Sequence, residues 1–224
     1  MADAPRPSRF PPPAALRHLA APLAAVLLAA PLEPLAAEVE GRSVAEVIVL
    51  EGSPLRLNGA GLRTKEVLAN RGAKSLNRGS STARLTTVKV YVGALYLPRK
   101  MTDAAAIVAL DEPKAMRLTF LRDLERSTVL GILRVGFESN SKEHLSELLP
   151  RLRLLGPALP ETIREGQTLS IAYRPARGST VAVDGEAAVT VEGKDFADAL
   201  FRTWLGPNPA DDGLEKLRKS LLGE

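Results

Sequence analysis

Apolar and polar residues alternate most regularly over residues 85–97, and this period of two predicts a long β-strand. One face of the predicted strand carries Val88, Val90, Val92, Ala94 and Tyr96, and the other carries Lys89, Tyr91, Gly93, Leu95 and Leu97. The second face is polar at one end and apolar at the other. We therefore expect it to line a cleft with a polar end and an apolar end.

Shorter segments complete an α+β pattern around this strand. The pattern predicts a hairpin over 43–57 and strands over 114–121, 167–173, 179–183 and 187–191, the last two joined by a turn at Asp184 and Gly185. Helical spacing of apolar residues predicts helices over 101–110, 129–137, 142–155 and 194–205, followed by a final helix. With 224 residues, 45% of them hydrophobic, the chain can build one sizeable core.

A polar interval over 66–87 interrupts the strands. It is rich in Asn, Arg, Gly, Lys and Ser, residues that break regular structure and resist burial. We predict an insertion that leaves the sheet as a solvated loop. The functional alternative is a basic patch that makes weak contact with an anionic membrane surface or polymer.

The N-terminal residues 1–37 are typical of a secretory signal peptide. Arginines come first, an apolar run over 19–32 follows, and small residues at Ala36 and Ala37 precede Glu38. This order predicts a mature domain over 38–224 and a periplasmic or secreted location. An uncleaved anchor is the alternative, but the apolar run is shorter than the roughly 20 residues that a spanning helix needs.

Composition removes several classes of function. The chain has no Cys and two His, His18 in the leader and His144 on the polar side of a predicted helix, so zinc sites and thiol catalysis lack their residues. We expect no metal and no cofactor. The formal net charge of +4 is modest and includes three arginines of the leader, which is not the profile of a nucleic-acid-binding protein.

A glycine-rich segment, LNGAGLRTK at 57–65, precedes the polar interval. Asn58, Gly59 and Gly61 tolerate positive φ, so we predict a sharp turn that presents Arg63 beside the long strand. The alternative interpretation is a hairpin corner with Arg63 as a solvated surface charge.

Three segments together resemble the chalcone isomerase-like family: LNGAGLRTK, KVYVGALYLP at 89–98 and DFADALFRTWLGPNP at 195–209. The resemblance covers roughly residues 52–222. It implies an open-faced β-sandwich in which helices cover a large antiparallel sheet. It also implies one of two roles, because plant members cyclise chalcones while other members bind fatty acids without catalysis.

The resemblance also suggests site residues. Arg63 matches the arginine that plant enzymes use against a developing oxyanion, and Thr203 with Trp204 matches a Thr-Met pair that lines their cleft. Tyr91 stands where plant enzymes have threonine and where fatty-acid-binding members are expected to have tyrosine. Spacing in the 194–205 helix independently turns Thr203 inward, although a threonine that bonds the carbonyl four residues back would look the same.

The plant pattern further requires a tyrosine and an asparagine after the central strand, and LRDLERSTVLGILRVGF at 121–137 contains neither. We therefore predict a non-catalytic binder of a small apolar, anionic molecule such as a fatty acid. Arg63 and Tyr91 would hold the head, and Leu95 and Trp204 would contact the tail. The alternatives are an isomerase or intramolecular lyase on an unidentified substrate, which would need an acid near Arg63, and a structural protein whose cleft is filled by its own side chains.

Overall fold

The computed structural model describes residues 35–69 and 84–224. Most of the predicted signal peptide and the middle of the predicted insertion lie outside the described residues. The strands are β1 Leu35–Val39, β2 Arg42–Ala45, β3 Val47–Leu50, β4 Ser53–Ala69, β5 Arg84–Leu97, β6 Lys114–Phe120, β7 Leu124–Glu125, β8 Thr162–Ile163, β9 Thr168–Arg174, β10 Gly178–Val183 and β11 Glu186–Val191. The helices are α1 Ala104–Ala109, α2 Arg126–Asn140, α3 Leu145–Arg153, α4 Leu155–Ala158, α5 Lys194–Leu205 and α6 Asp212–Leu222, with a 3-10 turn at Lys142–His144.

Seven of the described strands form one antiparallel sheet in the order β11-β10-β9-β6-β5-β4-β3. The helices cover one face of this sheet, and the main apolar core lies between them and the strands. A smaller apolar cluster lies on the opposite face, under the β1–β2 hairpin. The predicted α+β fold, an open-faced antiparallel sheet covered by helices, is confirmed.

The long strand β5 departs from simple alternation at one point. A bulge separates the pair Arg63↔Tyr91 from the pair Thr64↔Lys89 and leaves Val90 as the extra residue. Because a bulge shifts the side-chain parity, Val90 joins Tyr91 in the core on the helix side, and Val88 packs against the same core. The predicted grouping of Val88 and Val90 with Val92 was therefore wrong.

The predicted turn at the glycine-rich segment is also wrong. β4 runs unbroken through residues 57–65, and neither Gly59 nor Gly61 has a positive φ. A Cβ atom on Gly59 would lie 2.2 Å from the Ser220 carbonyl oxygen, and one on Gly61 would lie 2.5 Å from Ser220 Cβ. The glycines are needed because α6 packs directly against the strand backbone.

Asn58 stabilises the contact between α6 and β4. It is the extra residue of a bulge in β4, between Leu57 and Gly59. Its Nδ2 donates to the carbonyl oxygens of Met101 and Leu221, both at 2.8 Å, and its Oδ1 accepts from the Met101 amide at 2.7 Å. The buried amide group thus joins the sheet to the end of α6 and to the segment before α1.

The predicted loop over 66–87 does not extend to both ends of that interval. The β4–β5 ladder continues through Glu66↔Thr87 to Ala69↔Arg84. The polar composition predicted a loop, but the two ends of the interval pair with each other. They form a two-stranded extension of β4 and β5 past the point where β5 pairs with β6. The rest of the interval, residues 70–83, lies outside the described residues.

Lys114 is a charged residue in the core, with no exposed surface. Its Nζ donates to the carbonyl oxygens of Ile107, Val108 and Leu110 at 3.0, 2.6 and 2.9 Å, and so caps the end of α1. Burial is the main reason why the pKa of Lys114 falls from 10.5 to about 8.

This burial predicts a pH dependence of stability. Between about pH 8 and 10.5 the unfolded chain keeps a proton on Lys114 that the folded chain has released, so this group makes the free energy of unfolding rise with pH. Urea unfolding measured from about pH 8 to 9.5, below the ordinary tyrosine range, should show this rise, and Lys114→Met should show a smaller one. Equal slopes in the two proteins would contradict the prediction.

Candidate ligand-binding site

A cavity of about 310 Å³ opens between α2 and the strands β4 and β5, next to the start of α6. One end of the cavity is polar. The strands contribute Arg63, Lys65 and Tyr91, and Asp211 lies at the start of α6. The apolar wall is formed mainly by α2, through Gly131, Ile132, Val135 and Gly136, with Leu214 of α6 opposite.

The sheet register places Arg63 beside Tyr91. The two residues are direct partners across β4 and β5, so their side chains leave the same face next to each other. Only 11% of the Arg63 side chain is exposed. The sequence prediction named both residues, and the structure brings them together at one end of the cavity.

Arg63 already has a carboxylate partner within the chain. Its Nη2 donates to Asp211 Oδ2 at 2.7 Å, and its Nη1 donates to the Thr64 carbonyl oxygen. Asp211 is also the N-cap of α6, where Oδ1 accepts from the Leu214 amide at 2.9 Å. Partial burial raises the pKa of Asp211, but the hydrogen bonds from Arg63 and Leu214 outweigh it and leave the pKa below its ordinary value.

The Tyr91 hydroxyl is buried and oriented by Trp204. The indole Nε1 donates to Tyr91 Oη at 3.0 Å, and the positive charge of Arg63 acts on the same phenol from the neighbouring strand. Burial raises the pKa of the Tyr91 phenol above 10.0, although Trp204 and Arg63 oppose this shift. The phenol is therefore neutral at physiological pH. Because both neighbours act only as donors, Tyr91 keeps its own proton to donate to a ligand.

The other predicted site residues have different positions. Thr203 lines the cavity, where its hydroxyl donates to the Ala199 carbonyl oxygen at 3.4 Å, as in the simpler interpretation of the sequence. Trp204 lies behind Tyr91, at a separate apolar void of only about 10 Å³. Leu95 is fully buried in the core and lines neither space, so the structure does not bring it to the site.

Sequence reasoning missed the α2 wall and the role of Asp211. A carboxylate at the start of a helix is explained locally as a cap, so nothing in the sequence near Asp211 indicates its contact with Arg63, 148 positions away. The α2 wall approaches α5 closely because residue 136 is a glycine: a Cβ there would lie 2.4 Å from Thr203 Oγ1.

The rim of the cavity is fixed by two asparagines. Asn140 Oδ1 accepts from the Asn208 amide at 2.9 Å, and Asn140 Nδ2 donates to the Asn208 carbonyl oxygen at 3.1 Å. These bonds join the end of α2 to the loop after α5. They hold the apolar wall at a set distance from the start of α6.

Two acidic groups lie beside Arg63 at the polar end, the Tyr91 phenol and the Asp211 carboxyl. The lowered pKa of Asp211 keeps its carboxyl ionised and unable to donate a proton at neutral pH, whereas the Tyr91 phenol keeps its proton. Within residues 35–69 and 84–224 there is no group of three or more His, Asp or Glu side chains suited to a metal. In the same described ranges, no helix has both the length and the apolarity needed to cross a membrane.

Comparison with known proteins gives a family and a fold. The sequence profile of the family described as chalcone isomerase-like matches residues 72–223, more than half of the chain. The structure of a fatty-acid binding protein of Arabidopsis thaliana matches with a TM-score of 0.57 and 17% sequence identity, over 81% of this chain and 92% of the plant chain. A search among curated proteins finds no sequence match. The chain belongs to the chalcone isomerase-like family.

Proposed function

We propose that this protein binds a small amphiphilic carboxylate, such as a fatty acid of short or medium chain length, without converting it. The observation that carries the proposal is the meeting of Arg63 and Tyr91 at the polar end of an open cavity with an apolar opposite wall. A guanidinium and a phenol O–H are both donors that a carboxylate accepts.

The polar end of the cavity carries both positive and negative side chains. Asp211 neutralises Arg63, but Lys65 lines the same cavity and supplies a second positive charge. A ligand carboxylate would accept a hydrogen bond from the Tyr91 hydroxyl. It would also accept one from Arg63, either beside Asp211 or in its place. Because the bond between Arg63 and Asp211 competes with the ligand, Asp211 sets the affinity of the site.

The size of the cavity limits the tail. Its volume of about 310 Å³ lies at the lower end of the roughly 300–1,000 Å³ of small-molecule sites. The void behind Tyr91 is too small for a chain, so the tail would run along Ile132 towards Val135, which is 44% exposed at the surface. This path suits a short or medium chain.

Two further points support binding over the alternatives. The fold resembles that of the fatty-acid binding protein of Arabidopsis thaliana. The open cavity disfavours a purely structural role. The ionised Asp211 does not supply the acid that an isomerase would need at Arg63, which leaves the Tyr91 phenol as the proton donor there.

The test is calorimetric titration of decanoate and of decan-1-ol. Arg63→Ala should weaken decanoate binding by about 1.5–3 kcal/mol, the contribution of a hydrogen bond to a charged group, and should weaken decanol binding much less. Asp211→Asn keeps a good N-cap but removes the competing charge, so it should strengthen decanoate binding. Trp204 is the single tryptophan of the chain, and its fluorescence should report each binding event beside Tyr91.

Arg56→Ala is the matched control, because Arg56 is an exposed arginine of the same strand, outside the cavity. It should leave both affinities unchanged. Equal losses of decanoate and decanol affinity in Arg63→Ala would show that Arg63 does not hold a carboxylate, and so would an unchanged decanoate affinity.

We also propose that the protein is exported and that about 37 residues are removed. The support is the order of arginines, apolar run and small residues before Glu38. N-terminal sequencing of protein from the periplasmic or secreted fraction should find a start near Glu38. An intact N-terminus on cytoplasmic protein would contradict this proposal.

A further inference from the structure

A second cavity, of about 270 Å³, lies on the face of the sheet opposite to the helices. Its floor is formed by Val92 and Ala94 of β5, and the β2 residues Ser43, Val44 and Ala45 border it. It is separated from the Arg63 cavity by the sheet itself, because Val92 and Ala94 belong to the apolar cluster on the far side from α2.

Arg117 of β6 is the main charge in this second cavity. Its guanidinium carbon lies 5.6 Å from the ring centroid of the buried Tyr96, a cation–π contact that orients the guanidinium but leaves its in-plane N–H donors free. In the described part of the chain Arg117 forms no ion pair. Its donors are therefore available to an added anion.

The remaining polar residues of the second cavity are also donors. Arg42 lies at its edge and contacts Glu165 at 3.3 Å, while Thr119 and Thr168 share a hydrogen bond of 3.0 Å across β6 and β9. Since one of these two hydroxyls donates to the other, one proton remains free for a ligand.

The charge balance differs from that of the first cavity. The described residues that line the second cavity include two arginines and no Asp or Glu, whereas Asp211 lines the first. An anion at Arg117 would have no carboxylate to displace, whereas at Arg42 it would share the guanidinium with Glu165. Partial enclosure of Arg117 strengthens its attraction for an anion relative to that of a solvated surface arginine.

We propose that the second cavity is a separate site for a small organic anion that carries a carboxylate or phosphate group. Arg117 would hold the anion, helped by Arg42 and the hydroxyl pair Thr119 and Thr168. The apolar part of the ligand would rest on Val92 and Ala94. This site is independent of the carboxylate site at Arg63.

The experiment titrates the full chain with phenyl phosphate, benzoate and neutral benzyl alcohol. Calorimetry should show saturable binding of at least one of the two anions and none of the alcohol, and the stronger anion distinguishes phosphate from carboxylate. In NMR spectra the amides of Val44 and Ala94 should shift. Arg117→Gln should weaken anion binding by about tenfold or more, since a charge-assisted hydrogen bond is lost.

Two matched variants locate the effect. Arg117→Lys keeps the charge but loses the planar fork, so it should bind more weakly than the unmodified chain and more tightly than Arg117→Gln. Arg56→Gln, which changes an exposed arginine outside both cavities, should leave anion binding unchanged. No saturable binding, a loss in Arg56→Gln equal to that in Arg117→Gln, or shifts confined to Gly136 and Leu214 would each overturn the proposal.

Discussion

Trp204→Ala should lower the free energy of unfolding by about 3–5 kcal/mol, the usual cost of truncating a large buried aromatic residue. Trp204 is 2% exposed and packs in the core between the helices and the sheet. The truncation would enlarge the void behind Tyr91 and would remove the donor that bonds Tyr91 Oη. Urea unfolding monitored by circular dichroism measures the change.

Trp204→Phe separates the two parts of this effect. Phenylalanine keeps most of the buried apolar surface but has no N–H, so the loss should be closer to the roughly 0.5–1.5 kcal/mol of one hydrogen bond together with a small packing defect. The Tyr91 hydroxyl would then lose one of its orienting donors. A loss as large as that of Trp204→Ala would show that the bond to Tyr91, and not the volume, dominates.

Gly59→Val should destabilise the protein by about 3 kcal/mol or more, at the upper end of the cost of overpacking. A Cβ at this position would lie 2.2 Å from the Ser220 carbonyl oxygen and 2.7 Å from that of Leu221. Both obstacles are backbone atoms of α6, so no side chain can rotate to make room. The substitution must push α6 away from β4, and chemical denaturation should show the loss.

Gly131→Ala is the opposite case and serves as the control. Gly131 lies inside α2 with no atom within 4 Å of the added Cβ, so alanine should stabilise the helix by about 0.5–1 kcal/mol. A stability of Gly59→Val within experimental error of the unmodified chain would contradict the close contact between α6 and β4.

The predicted effect of Gly59→Val has a functional consequence. The N-cap of α6 is Asp211, which bonds Arg63, so the position of α6 sets the geometry at the polar end of the cavity. A change at the far end of α6 could therefore alter ligand affinity without contact with the ligand. The packing of α6 against β4 therefore also fixes the position of Asp211 beside Arg63 at the candidate site.

Part of the site could be predicted because it depends on neighbours across one strand pair. Arg63 and Tyr91 come from the segments that resemble the family, and antiparallel pairing places them side by side. Leu95 lies on the same face of β5 as Tyr91, but four residues along a strand is about 13 Å, which carries it beyond the cavity. The strand face predicted for Leu95 is therefore correct, but its predicted position in the cleft is not.

Elements whose signals are local can be predicted from the sequence. The turn at Asp184 and Gly185, with φ values of 50° and 86°, and the helix Lys194–Leu205 were predicted at their observed places. Turn chemistry and apolar periodicity depend only on residues within a few positions of each other. The need for a glycine at Gly59 and the pairing of Asp211 with Arg63 cannot be predicted in this way. Both contacts arise when α6 packs across β4, and no periodicity records which helix covers which strand.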